Sequence, residues 1–196
     1  MNAEAPADAA EAPDDIAAAT RVWLEKAVIG LKLCPFASTV HVKQQIRYAV
    51  SLAETPEHLL GDLVEELRLL ADADPAEIDT TLLIHPGVLT DFLDYNDFLD
   101  VADAAVEDIG LAGEIQVASF HPRYQFADCE PDDIGNYTNR SPYPTLHLLR
   151  ELSVERAVAA HPDAADIFDR NIETLRRLGH DGWRSLGLVT PAAHKK

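Results

Sequence analysis

Apolar positions along the chain change period several times, and each change marks an element. From Pro13 onward Ile16, Thr20, Trp23, Ala27 and Leu31 recur at helical spacing, which predicts a helix with one buried stripe. Pro13 suits a first turn, and Asp14 and Asp15 lie at the positive end of the helix dipole. Leu33-Cys34-Pro35-Phe36 ends the helix, because the residue before a proline is pushed out of the α region. Over 46–52 the period drops to two: Ile46, Tyr48, Val50 and Leu52 alternate with Arg47, Ala49 and Ser51, predicting a strand. Thr55, Pro56 and Glu57 then read as cap, first-turn proline and first-turn acid of a helix striped by Leu59, Leu60, Leu63, Leu67 and Leu70, closed by Ala73-Asp74-Pro75.

The second half repeats the alternation. Residues 80–84, TTLLI, form a short β-prone run that stops at His85-Pro86-Gly87. A helix follows, with Phe98, Leu99, Ala102, Val106 and Ile109 on one side and a stop near Gly110 and Gly113. Residues 115–120 are the third strand, again stopped by His-Pro. About twenty residues rich in His, Arg, Asp, Asn and Tyr come next, a length that inside a compact domain points to a functional segment. From Pro144 the spacing of Leu146, Leu149 and Leu152 predicts a helix that Pro162 interrupts. A last helix from Pro162 carries Ile167, Phe168, Ile172, Leu175 and Leu178 to Gly179, with Trp183 and Leu186 docking back on it.

Strand, helix, strand, helix, strand is the pattern of linked βαβ units. It predicts an α/β (or α+β) domain with a small, mostly parallel sheet of three to four strands. The N-terminal helix and a C-terminal helical pair flank that sheet. A ferredoxin-like α+β sandwich competes, with a further strand around 40–43. Residues 1–12 read as a disordered acidic tail, 13–188 as one globular domain and 189–196 as a flexible tail.

Charge narrows the partners. A net charge of −18 over 196 residues repels polyanions, so neither nucleic acid nor an anionic membrane surface is an expected partner. The apolar runs are too short to span a bilayer, and the acidic start lacks the pattern of a secretory signal. The expected location is therefore cytoplasmic. Cys34 and Cys129 are too few for a disulfide framework and lack zinc spacing; Cys34, in LCPF, reads as a small buried hydrophobe. GxSxG, GxxxxGK[ST] and GxGxxG are all absent, which removes the commonest hydrolase-elbow, P-loop and dinucleotide readings and leaves the cofactor open, a divalent metal included.

Five segments in one order, LCPFA at 33–37, TTLLIHP at 80–86, DFLDYNDFLD at 91–100, QVASFHPRYQF at 116–126 and NRSPYPTLHLLRE at 139–151, resemble a bacterial family known as domain of unknown function 1415. The resemblance covers most of the chain apart from the acidic tail and about the last dozen residues. It brings with it no activity, cofactor or catalytic residue.

The chemistry must therefore come from the residues. TTLLIHP and VASFHP repeat one device: a proline cannot donate to a ladder, so His85 and His121 mark carboxyl ends of strands, where ligands bind in open α/β sheets. An imidazole there can act as acid, base or metal ligand; the alternative is that each simply caps its strand. If the two strands neighbour one another, His121 lies beside His85. Tyr95 and Asn96 follow the first His-Pro, and Tyr124 follows the second, as pocket-lining candidates. Arg140, with Arg123 and Arg47, offers fork-shaped donors for an anion. Asp133 and Asn136 are candidates to orient a histidine.

Three functions follow. The first is an enzyme acting on a small anionic metabolite, with His85 and His121 transferring protons and Arg140 and Arg123 gripping the anion. The second is a metal-dependent hydrolase drawing on His85, His121, Asp132, His147 and Glu151 for a divalent ion; His147 and Glu151, four apart, would share a helix face. The third is a non-catalytic protein that binds a ligand or partner through the long loop.

Overall fold

The computed structural model describes residues 11–160 and 166–189. Most of the expected N-terminal tail, Pro162 as the start of the last helix, and nearly all of the expected C-terminal tail lie outside the described residues. Glu11, at the end of the expected N-terminal tail, is anchored: Tyr143 Oη donates to its carboxylate at 2.6 Å.

The chain begins with α1 (Pro13–Trp23), which widens into a π-helical turn, Leu24–Ile29. At its end Gly30 passes so close to the Lys26 carbonyl that a Cβ would sit 2.3 Å from that oxygen. Only glycine fits there. Next come α2 (Ala37–Val42), β1 (Ile46–Val50), α3 (Pro56–Asp72), β2 (Thr80–Ile84), α4 (Phe92–Asp108) and β3 (Ile115–Phe120). A 3₁₀ turn (Ile134–Thr138), β4 (Thr145–Arg150), α5 (Glu151–Ala159) and α6 (Ile167–Ser185) complete the order. Local chemistry sets several starts. The Thr55 hydroxyl accepts the His58 N–H ahead of α3, and the Asp91 carboxylate accepts the Leu93 N–H ahead of α4, as N-caps do. Gly179, at φ 65, breaks α6 as expected, and the buried Trp183 beyond it packs with Leu175.

The α/β class holds: the described residues form six α-helices and a four-stranded mixed sheet in the order β1-β2-β4-β3. Three expectations within it change. Residues 145–150 form a strand, not the first turns of a helix. Their leucines fit either period, and the tertiary context decides: β2 and β3 each expose a row of backbone N–H and C=O groups that β4 satisfies from between them. The sheet is therefore mostly antiparallel. β1 and β2 pair in parallel, while β4 runs against both β2 and β3. Residues 40–43 belong largely to α2 rather than to an extra strand. The βαβαββ order also differs from the ferredoxin-like βαββαβ.

Helices cover both faces. Ala49, Leu83, Leu146 and Leu148 meet Leu59, Leu63, Leu67 and Leu70 of α3 and Tyr95, Phe98 and Ala102 of α4 in the main core. On the opposite face Leu82 and Ile84 pack with Ile16 and Tyr143, beside a cluster built from Trp23, Leu24, Leu33, Leu175 and Trp183. Every residue of β2 is buried, as expected of a strand covered on both sides. Each fully buried leucine of α3 stabilises the fold by about 1.5–3 kcal/mol. At the far end of the sheet Arg150 donates to the carbonyls of Leu70, Ala73 and Ile78, satisfying the exposed end of α3.

Candidate functional site

β2 and β3 end level with one another on either side of Thr145, which pairs with both Ile84 and Phe120. His85 and His121 therefore sit one strand apart, with β4 rather than each other as neighbour. Residue alternation turns both toward α4, where Tyr95 lies between them. Its ring is 5.7 Å from that of His85 and 5.0 Å from that of His121. The Tyr95 hydroxyl donates to the Thr145 carbonyl at 2.9 Å and accepts the Phe120 N–H at 3.2 Å. Phe92, 5.4 Å from His121, and Tyr124, 5.1 Å from Phe92, extend the row of rings.

The two histidines hold opposite tautomers. His85 Nδ1 has only a carbonyl, that of Val88 at 3.1 Å, within reach, so it carries the proton. His121 Nδ1 accepts the Arg123 N–H at 3.0 Å, so its Nε2 carries the proton toward the Leu89 carbonyl at 3.2 Å. Both rings are fully buried, and burial pushes each imidazole down to about 4. Both are thus neutral at neutral pH, and both pin the 86–91 connection. His85 Nε2 is buried with no hydrogen-bond partner among the described residues.

The arginines are engaged within the protein. Arg47 grips Glu66 with two bonds of 2.7 and 2.8 Å. Arg140 donates to the carbonyls of Tyr124 and Pro131 and stacks on Tyr137 at 4.2 Å. Arg123, the most exposed, donates to the Thr90 carbonyl and to Asp91. In the loop, Asp133 accepts the Gly135 N–H at 2.6 Å. The buried Asn136 accepts the Phe126 N–H and donates to the Glu130 carbonyl. These two side chains organise the loop and do not bond to either histidine. Asn96 points to solvent.

The metal candidates are spread over the fold. His147 pairs with Leu82 and Ala118 in the middle of the sheet, on the face away from His85 and His121. Its Nε2 bonds the Thr80 hydroxyl at 2.8 Å. Glu151 follows β4 at the opposite end from Thr145, and Asp132 is exposed. Among the described residues no three His, Cys, Asp or Glu side chains form a group able to hold a metal ion.

A cleft of about 520 Å³ opens at the carboxyl ends of the parallel pair β1 and β2, lined by Ser51, Ala53, Leu83 and the α3 residues His58, Asp62, Glu65 and Glu66. The Ser51 hydroxyl donates to Asp62 at 2.5 Å and accepts the Ala53 N–H at 3.1 Å. Ser51 N–H bonds the Ile84 carbonyl, so the serine stands level with His85 on the neighbouring strand. Sequence reasoning located the carboxyl edge and missed these residues. Their signal was faint: a serine near the end of the first alternating run, and acids at 62, 65 and 66 on the helix that follows.

Helices on both faces of an open, four-stranded mixed sheet place the chain in the α/β class. The match to the family described as "Protein of unknown function (DUF1415)" runs over residues 15–185, and the chain belongs to that family. No curated protein and no solved structure matches it.

Proposed function

We propose that the protein is a small-molecule enzyme that uses the β1–α3 cleft to bind a hydroxyl- or amine-bearing substrate, with Asp62 accepting the proton. The 2.5 Å bond from Ser51 to Asp62 in the cleft wall carries this reading. It holds a carboxylate and a hydroxyl in line at the sheet edge where α/β proteins bind ligands. Charge favours a neutral or cationic substrate over an anion. Glu66 is neutralised by Arg47, while Asp62 and Glu65 keep the lining acidic and His58 adds an imidazole. The test is a thermal-shift and turnover screen of alcohols and amines alongside their phosphorylated or carboxylated counterparts. The uncharged or cationic members are expected to stabilise the protein, and Asp62→Asn to weaken them by about tenfold while leaving the fold intact. Stabilisation by the anions alone, unchanged in Asp62→Asn, would refute it.

A second reading keeps acid-base work on an anionic metabolite at His121. It is favoured by Arg123, whose side chain is 62% exposed beside that histidine. In that case Arg123→Gln, and not Asp62→Asn, would abolish the response to anions.

A further inference from the structure

A second cleft, of about 300 Å³, lies where the long loop packs against α6. Its walls are Phe126, Phe168 and Ile172, the rings of Phe126 and Phe168 meeting edge to face at 5.7 Å. Two charged side chains of opposite sign line the same space: Asp133 from the loop and Arg176 from α6. Phe168, Ile172 and Arg176 are four apart and so form one stripe of the helix, apolar for its first two members and cationic at the third.

The two charges do not meet. No ion pair within 4.0 Å joins them, and among the described residues Arg176 has neither an ion pair nor a hydrogen bond. Asp133 uses one carboxylate oxygen on the Gly135 N–H. Arg47, Arg123, Arg140 and Arg150 all have protein partners. Arg176 is exposed at the edge of this apolar cleft and Asp133 is half-buried, and a guanidinium and a carboxylate that border one cleft without pairing are complementary to a molecule carrying both signs. The volume lies at the low end for ligand sites, too small for a nucleotide.

We propose that this cleft binds a free apolar α-amino acid: its carboxylate on Arg176, its ammonium on Asp133 and its side chain against Phe126, Phe168 and Ile172. The fork of Arg176 suits a carboxylate, and the half-exposed Phe168 gains a covering. Either charge on the ligand alone would leave one of the two protein charges unanswered.

Calorimetric titration of the full chain with L-leucine and L-phenylalanine tests this, with N-acetyl-L-leucine and L-leucinamide as the forms lacking one charge. Saturable binding of at least one amino acid is expected, weakened about tenfold or more when either ligand charge is removed. Arg176→Gln and Asp133→Asn should cost a similar factor; asparagine caps as well as aspartate, so the loop survives that change. Cys129 lines the cleft and is half-buried, so bound amino acid should also slow its alkylation. No binding of either amino acid at millimolar concentration, equal affinity for the blocked forms, or unchanged affinity in both variants would each overturn the proposal.

Discussion

The two His-Pro strand ends begin from the same short motif and finish as opposites. At the end of β2, His85 donates from Nδ1 to a carbonyl three residues on and leaves Nε2 without a partner among the described residues. At the end of β3, His121 accepts at Nδ1 and donates from Nε2 to Leu89, in the connection that His85 also braces. The dipeptide thus sets where a strand stops, and the backbone groups around it set what the imidazole does. Tyr95 ties the ends together through the first residue of β4 and the last of β3.

Acid should break both ends at once, and this is the largest effect expected. His85, His121 and His147 are each held near 4 by burial, against about 6.5 in the unfolded chain. The unfolded state therefore takes up protons first as pH falls. The stability these groups contribute is complete above about 6.5 and declines through the window down to about 4, by roughly 1.4 kcal/mol per pH unit for each histidine. Urea unfolding between pH 7.5 and 5, above most carboxylate titration, should show a falling midpoint; a flat profile would mean that the imidazoles are not held neutral.

Tyr95→Phe should loosen the link between the ends without disturbing either histidine directly. It strands the buried Thr145 carbonyl and the part-buried Phe120 N–H, at a cost of about 1–3 kcal/mol. Denaturant titration reads this, and a loss under about 0.5 kcal/mol would show that the hydroxyl is not a working bridge. The smallest change is Arg123→Ala. Its ion pair with Asp91 is exposed on both sides, so the loss should stay within about 1 kcal/mol. Ring-nitrogen NMR on that variant should still find His85 protonated at Nδ1 and His121 at Nε2; one shared tautomer would remove the contrast altogether.

The helices α1, α3, α4 and α6 and the first three strands were readable because period, caps and prolines agreed, whereas α2 was not. The α3 stripe of Leu59, Leu63, Leu67 and Leu70 is fully buried, and Thr55 and Asp91 cap as their positions suggest. β4 was misread because Leu146, Leu149 and Leu152 also fit a helix, and only the two waiting strand edges settle the matter. The sequence pointed to the carboxyl edge, where the candidate cleft lies, but not to the residues that line it. Arg140, Asp133 and Asn136 look chemical in the sequence, yet each meets backbone groups of its own loop. No local pattern distinguishes that use from ligand binding. Ser51 and Asp62 become neighbours only once α3 folds back over β1.

The position of β4 also bears on how the protein is made. A chain leaving the ribosome N-terminus first presents β1, β2 and β3 before the strand that joins them exists outside the exit tunnel. Until residues 145–150 emerge, TTLLI has one open edge, and β3 has no strand partner. Such a run is short, uncharged and β-prone, the composition that associates with other chains when exposed. The sheet is thus completed only after residues 145–150 emerge, and until then these edges are open to pairing with other chains.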